Sequence, residues 1–185
     1  SHHLLILPGC QSSLARSEGL PTVLLEALDA GRPVVAAIAL PGQGGRPTEV
    51  FHARAAGGAF LDGRPIHVNE VKRPAPTQLV CLPGRYSSMF RFVGDLRRHP
   101  GEVRGTGSIA FELVHTALGT FQYAIFVIPK IWDVAAGVLL VKEAGGEALM
   151  RREAGTAWRP FERFGPDDLT APWTLEGLRK WRASL

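Results

Sequence analysis

Ile131-Trp132-Asp133-Val134-Ala135-Ala136-Gly137, running on to Glu143-Ala144-Gly145-Gly146, is the stretch whose reading decides the fold. An Asp at the head of an apolar run accepts backbone N–H groups and suits the positive end of a helix dipole. The glycines that follow allow a left-handed stop. The spacing therefore predicts a helix with Asp133 in its first turn that ends near Gly145. Small residues at 135–137 permit close packing, so Trp132 is expected to be largely buried. Capping alone, worth about 0.5–2 kcal/mol, accounts for an Asp at such a place. A chemical role for Asp133 has to come from its surroundings.

Upstream of this helix, Phe121 to Ile128 reads as a strand broken by Pro129. Ser108 is positioned to cap a helix with Ile109, Leu113 and Ala117 on its apolar face and Gly119 as its stop. Ser87 or Ser88 starts another, with Met89, Phe92, Val93 and Leu96 on one side, ending before Pro100-Gly101. Glu102 to Gly105 reads as entry to a turn, and Gln78 to Leu82 as a strand. Glu49 to Ala53 and the pieces around Leu61-Asp62-Gly63-Arg64 read as short strands and a turn. Thr22 to Leu40 has two readings: a hairpin turning at Asp29-Ala30-Gly31, or a helix from Pro21 to Ala30 feeding a strand. The hairpin is preferred, because the strands that follow need neighbours. Leu4 to Leu7 is a short strand, Glu147 to Met150 a last one, and Leu175 to Leu185 a last helix.

The 185 residues suit a single domain spanning 1–185. No apolar run approaches the ~20 residues of a membrane span, which argues against a membrane protein. Ser1-His2-His3 reads as a tag remnant or a trimmed start. Cys10 and Cys81 form neither a zinc pattern nor a disulfide framework, and a cytoplasmic or organellar interior follows. The net charge of +4, carried largely by arginine, suits phosphate-bearing ligands. Without an aromatic-interleaved basic stripe it does not point to nucleic acid. His52, His67, His99 and His115 share no metal-ligand spacing.

Three blocks, Phe51 to Val68, Gly107-Ser108 and Trp132-Asp133 with its trailing Glu143-Ala144-Gly145-Gly146, together resemble the inositol monophosphatase family of Mg-dependent phosphomonoesterases. The likeness is strongest over residues 20–150. It implies an α+β fold, the layered α-β-α-β-α sugar-phosphatase arrangement shared with fructose bisphosphatases. By this resemblance Asp133 is the metal-binding carboxylate, and Gly107 and Ser108 contact substrate. Gly57 to Ile66 is a structural turn.

The chain also departs from that family. The family's Asp-Pro-x-Asp-Gly-Thr metal loop falls on Leu7-Pro8-Gly9-Cys10-Gln11-Ser12, where Leu7 and Cys10 replace the carboxylates. Its substrate acid, seven residues ahead of the Trp-Asp aspartate, is Phe126 here. An earlier acidic pair would lie ahead of residue 1, leaving the first sheet incomplete. These departures favour a catalytically degenerate domain with a binding or assembly role, weak Mg binding, and a homo-oligomer or larger assembly around it. A phosphorylated small molecule is the expected ligand. The alternative is an active Mg-dependent phosphomonoesterase on a sugar, inositol or nucleotide phosphate. A minor alternative rests on residues 18–36, where Glu18-Gly19-Leu20-Pro21 through Glu26 to Gly31-Arg32-Pro33 resembles the donor-binding segment of retaining glycosyltransferases.

Overall fold

The computed structural model describes residues 4–6, 22–29, 32–42, 47–71, 73, 75–98, 100–165, 176 and 180–185. An antiparallel sheet is built from β1 (Leu4–Ile6), β2 (Thr22–Asp29), β3 (Arg32–Leu40), β4 (Glu49–Arg54), β5 (Gly58–Leu61) and β6 (Arg64–Pro65), neighbours in sequence also neighbouring in space. Thr22 pairs with Ala39 and Asp29 with Arg32, so the hairpin holds and the helix required by the glycosyltransferase reading is absent. Along β3 the burial alternates, with Ala36, Ile38 and Leu40 inward, and Phe51 and Ala53 of β4 join them. That period of two is what a sheet with one face on a core requires.

A second, parallel sheet takes the order β8-β7-β9, from β7 (Leu79–Cys81), β8 (Glu102–Arg104) and β9 (Phe121–Ala124). Glu102 to Arg104 are therefore an edge strand and not merely entry to a turn. Leu79 pairs with Glu102 on one side and Phe121 on the other. Between β7 and β8 the expected helix does not form. A short α1 (Tyr86–Met89) gives way to extended Phe90 and then to a 3-10 turn over Gly94–Arg97. Ser88 Oγ donates back to Arg85 O at 2.9 Å and caps nothing, and Gly94 takes φ +60. With Met89 and Val93 exposed, no core pulls the segment into a longer helix.

Two helices lie between the sheets, α2 (Ile109–Ala117) and α3 (Ile131–Glu143). From Val134 to Val141 α3 is buried continuously, as a helix must be when it packs on the first sheet with one side and on α2 with another. Gly137 allows the close approach: a Cβ there would meet Leu113 Cβ at 2.5 Å. Trp132 is not buried as expected; it is 47% exposed, with the Lys130 ammonium 6.0 Å from its ring centroid. Ala135 and Ala136, on the same side one turn further on, are buried, so Trp132 is exposed because it lies in the first turn, ahead of the buried run.

β10 (Leu149–Met150) pairs with β11 (Arg159–Pro160). The chain from Trp181 to Leu185 is extended, not helical: Arg151 and Ser184 exchange backbone hydrogen bonds, as do Phe126 and Leu185. Of the rest of the expected last helix, Glu176 and Lys180 are helical, and the other residues lie outside the described ones, as does the loop Leu7 to Ser12.

Candidate functional site

Both central helices end on the same short segment. Val68 N donates to Ala144 O at 3.0 Å, just past α3, and Asn69 Nδ2 donates to Gly119 O at 3.3 Å, just past α2. Helices that pack side by side and share a C-terminal anchor run parallel. Their N-termini therefore open at the same, opposite end. Ser108 lies as many residues ahead of Gly119 as Asp133 lies ahead of Ala144. At about 1.5 Å per residue the two are level to within about one turn. The fold thus brings Gly107, Ser108 and Asp133 to one mouth.

At that mouth, Asp133 sits in the first turn of α3 as expected. Lys130 N donates to Asp133 Oδ2 at 3.3 Å and Asp133 N donates to Lys130 O at 3.0 Å, a reciprocal pair that closes the helix start. Burial raises the carboxyl above its ordinary value, opposed by that backbone hydrogen bond and by the charge of Lys130. Ser108 is the N-cap of α2, its Oγ accepting from Phe111 N at 3.4 Å. Gly107 holds φ +80, a conformation that favours glycine.

Sequence reasoning missed Glu112. It is only 8% exposed, and one of its oxygens accepts from Thr106 N at 2.8 Å and from Thr106 Oγ1 at 2.9 Å. The available signal was an acid within the first turn beyond a Ser cap, following the apolar Ile109, Ala110 and Phe111. Phe126, standing where the resemblance places a substrate acid, is in the core, only 6% exposed, with its backbone held by Leu185. A cleft of 670 Å³ reaches Phe126 from the other end of the helices, among Asn69, Thr116 and Gly145, and touches neither Asp133 nor Ser108. Depth of cavity and chemistry thus separate here, and the helix mouth is the better candidate because charge and backbone donors converge there.

Magnesium, which the resemblance implies, prefers several oxygen ligands. Asp133 supplies one carboxylate. Among the described residues, no group of three or more His, Cys, Asp or Glu side chains gathers as a metal site. The described donor set does not fit a pair of magnesium ions. No described helix is long and apolar enough to cross a membrane.

The model of the inositol monophosphatase family matches residues 15–169. The chain is 34% identical over 116 residues to the chloroplastic phosphatase IMPL1 of Arabidopsis thaliana, covering 58% of this chain and 30% of that protein. It is 35% identical over 103 residues to the Nus factor SuhB of Xylella fastidiosa, covering 53% and 38%. Inositol-1-monophosphatase ImpA of Mycolicibacterium smegmatis is 29% identical over 171 residues, covering 88% and 54%. The chain thus spans about half or less of the length of these relatives. Among solved structures, the extragenic suppressor protein suhB of Bartonella henselae has TM-score 0.58 at 23% identity, covering 89% of this chain and 55% of that one, and shares the fold.

Proposed function

The chain belongs to the inositol monophosphatase family, and from that premise we propose that it is a degenerate member that binds a phosphorylated small molecule at the mouth of α2 and α3 without hydrolysing it efficiently. The observation that carries this reading is that, among the described residues, no carboxylate cluster forms around Asp133, which is turned back onto Lys130 N, while Glu112 is engaged by Thr106 and a buried Phe126 stands in place of a substrate acid. Gly107 and Ser108 supply the polar wall, and the first turns of two parallel helices direct backbone N–H groups and positive dipole ends toward an anion. Magnesium binding at Asp133 is weak in this reading, because one carboxylate cannot replace the shell of a hard cation. The domain works in a homo-oligomer or a larger assembly. The half-exposed outer residues Val35, Ala37 and Phe60 on the first sheet support that.

The second reading is an active Mg-dependent phosphomonoesterase. Asp133 at the first turn of α3 favours it, and so do relatives named as phosphatases. Its remaining oxygen ligands would come from outside the described residues. The name Nus factor, borne by another relative, leaves room for a role other than catalysis.

Calorimetry with Mg and a phosphate-release assay on inositol monophosphate separate the two. The degenerate reading expects Mg affinity weaker than millimolar and release at little above background, unchanged in Asp133→Asn. Submillimolar Mg affinity, with turnover abolished by Asp133→Asn, overturns it.

A further inference from the structure

The two polar donors of Thr106 converge on a single buried oxygen. Glu112 Oε1 accepts Thr106 N at 2.8 Å and Thr106 Oγ1 at 2.9 Å, and Thr106 Oγ1 in turn accepts Ser108 N at 3.3 Å. A hydroxyl has one proton, so this one points to Glu112 and its lone pair takes the Ser108 amide. The result is a chain from Ser108 N–H through Thr106 to Glu112 that spans the left-handed Gly107. Glu112 is itself fixed on α2, whose Glu112 N donates to Ser108 O at 3.0 Å. The turn ahead of the helix is therefore tied to the helix body from beneath.

We propose that Glu112 is a positioning residue: it holds Thr106, Gly107 and Ser108 in the conformation that presents their outer surface to the phosphorylated ligand. The role rests on the proposed function, since it concerns the wall of that same mouth. Its physical content is preorganisation. A three-residue turn containing a glycine samples many conformations when free, and a ligand that must order it binds more weakly. The carboxylate removes that cost before the ligand arrives. It touches no ligand itself.

One oxygen performs both acceptances, so the carbonyl oxygen of a glutamine can substitute for it, whereas alanine cannot. The test uses the 185-residue chain with Glu112→Gln, Glu112→Ala and Thr106→Val. Two quantities are read: amide hydrogen exchange at Thr106 and Ser108, and affinity for inositol monophosphate. Thermal unfolding confirms that each variant is folded. Glu112→Gln is expected to exchange and bind within about twofold of the parent. Glu112→Ala is expected to exchange at least tenfold faster at Thr106 and to bind at least tenfold more weakly. Thr106→Val should lose affinity in the same range, and the Thr106→Val, Glu112→Ala double variant should be no worse than the weaker single one, because both break one chain. A folded Glu112→Ala with parental exchange and affinity overturns the positioning role alone. Additive losses in the double variant do the same. A parent chain that fails to bind the probe overturns the proposed function and the positioning role with it.

Discussion

Glu143, the last residue of α3, accepts a hydrogen bond from the backbone N–H of Gly58 at 2.9 Å across the interface with the first sheet. The same carboxylate takes Gly57 N at 3.1 Å and Ala56 N at 2.9 Å. Ala56 holds φ +57 and Gly58 φ +85 in this turn, so three consecutive N–H groups bend toward one anion. A helix C-terminus repels negative charge. The three donors offset that repulsion, and the clamp ties the β4–β5 hairpin to the helix that carries Asp133 at its other end.

Removing this clamp should be costly. Hydrogen bonds to a charged group contribute about 1.5–3 kcal/mol each when buried, and less here because the turn is partly exposed. Glu143→Ala should lower stability by about 2–3 kcal/mol, with Glu143→Gln intermediate because only one of its two polar atoms accepts. Urea unfolding midpoints at constant slope check this. A Glu143→Ala chain as stable as the parent would contradict the clamp.

The Cys81 thiol is pushed up to about 12, first by burial and then by the charge of Glu112. Only thiolate attacks disulfide reagents. At pH 8 native Cys81 should react at least a hundredfold more slowly than the thiols of the unfolded chain. Glu112→Gln removes the lesser cause, so it should speed the reaction modestly and leave burial in control. Timed labelling followed by mass spectrometry of the Cys81 peptide reads both.

The elements that sequence revealed are those whose cause is local. The hairpin Thr22 to Leu40 has its turn signal and strand runs in the chain itself, and Ser108 stands immediately before an apolar helix period. Asp133 at a helix start is legible for the same reason. The strand β8 is not, because three residues on the edge of a parallel sheet carry no period. Trp132 is exposed because it stands in the first turn of α3, ahead of the stretch that the first sheet and α2 bury, a fact of packing. Nor could the chain alone show that Glu112 reaches back to Thr106, since the turn at Gly107 decides it. The parallel run of α2 and α3, which makes one mouth of two helix starts, likewise appears only when both C-termini are seen on Val68 and Asn69.

Asp133 should leave a signature in the pH dependence of stability. Its folded-state carboxyl is raised above 3.8, chiefly by burial. The folded chain therefore holds this proton more tightly than the unfolded one. The associated stabilisation is fully present below 3.8 and is lost as pH rises through the raised value. Asp133→Asn lacks this titration, so parent and variant should diverge across that window, the parent losing ground as pH increases. Urea midpoints from pH 3.5 to 7 test the sign, and a parent that gains on the variant with rising pH would contradict it.

Gly137 and Leu113 set how closely α2 and α3 approach, and hence how closely Ser108 and Asp133 share one mouth. A Cβ at Gly137 would lie 2.5 Å from both Leu113 Cβ and Cδ1, closer than any ordinary contact; Leu113 is only 6% exposed, and its Cβ cannot move away by a change of rotamer. Gly137→Ala recovers about 1 kcal/mol of helix propensity, against overpacking that costs about 1–3 kcal/mol and more at so short a distance. The net loss should be about 1–2 kcal/mol. Leu113→Ala removes the Cδ1 contact but keeps Cβ, so it relieves the clash in part and adds a cavity cost of about 2–5 kcal/mol. The double variant should be more stable than the sum of the two losses by about 1 kcal/mol, since each change makes room for the other. Additive losses in denaturant unfolding would mean that the helices separate at no cost. In that case the level placement of Ser108 and Asp133 would not depend on this contact.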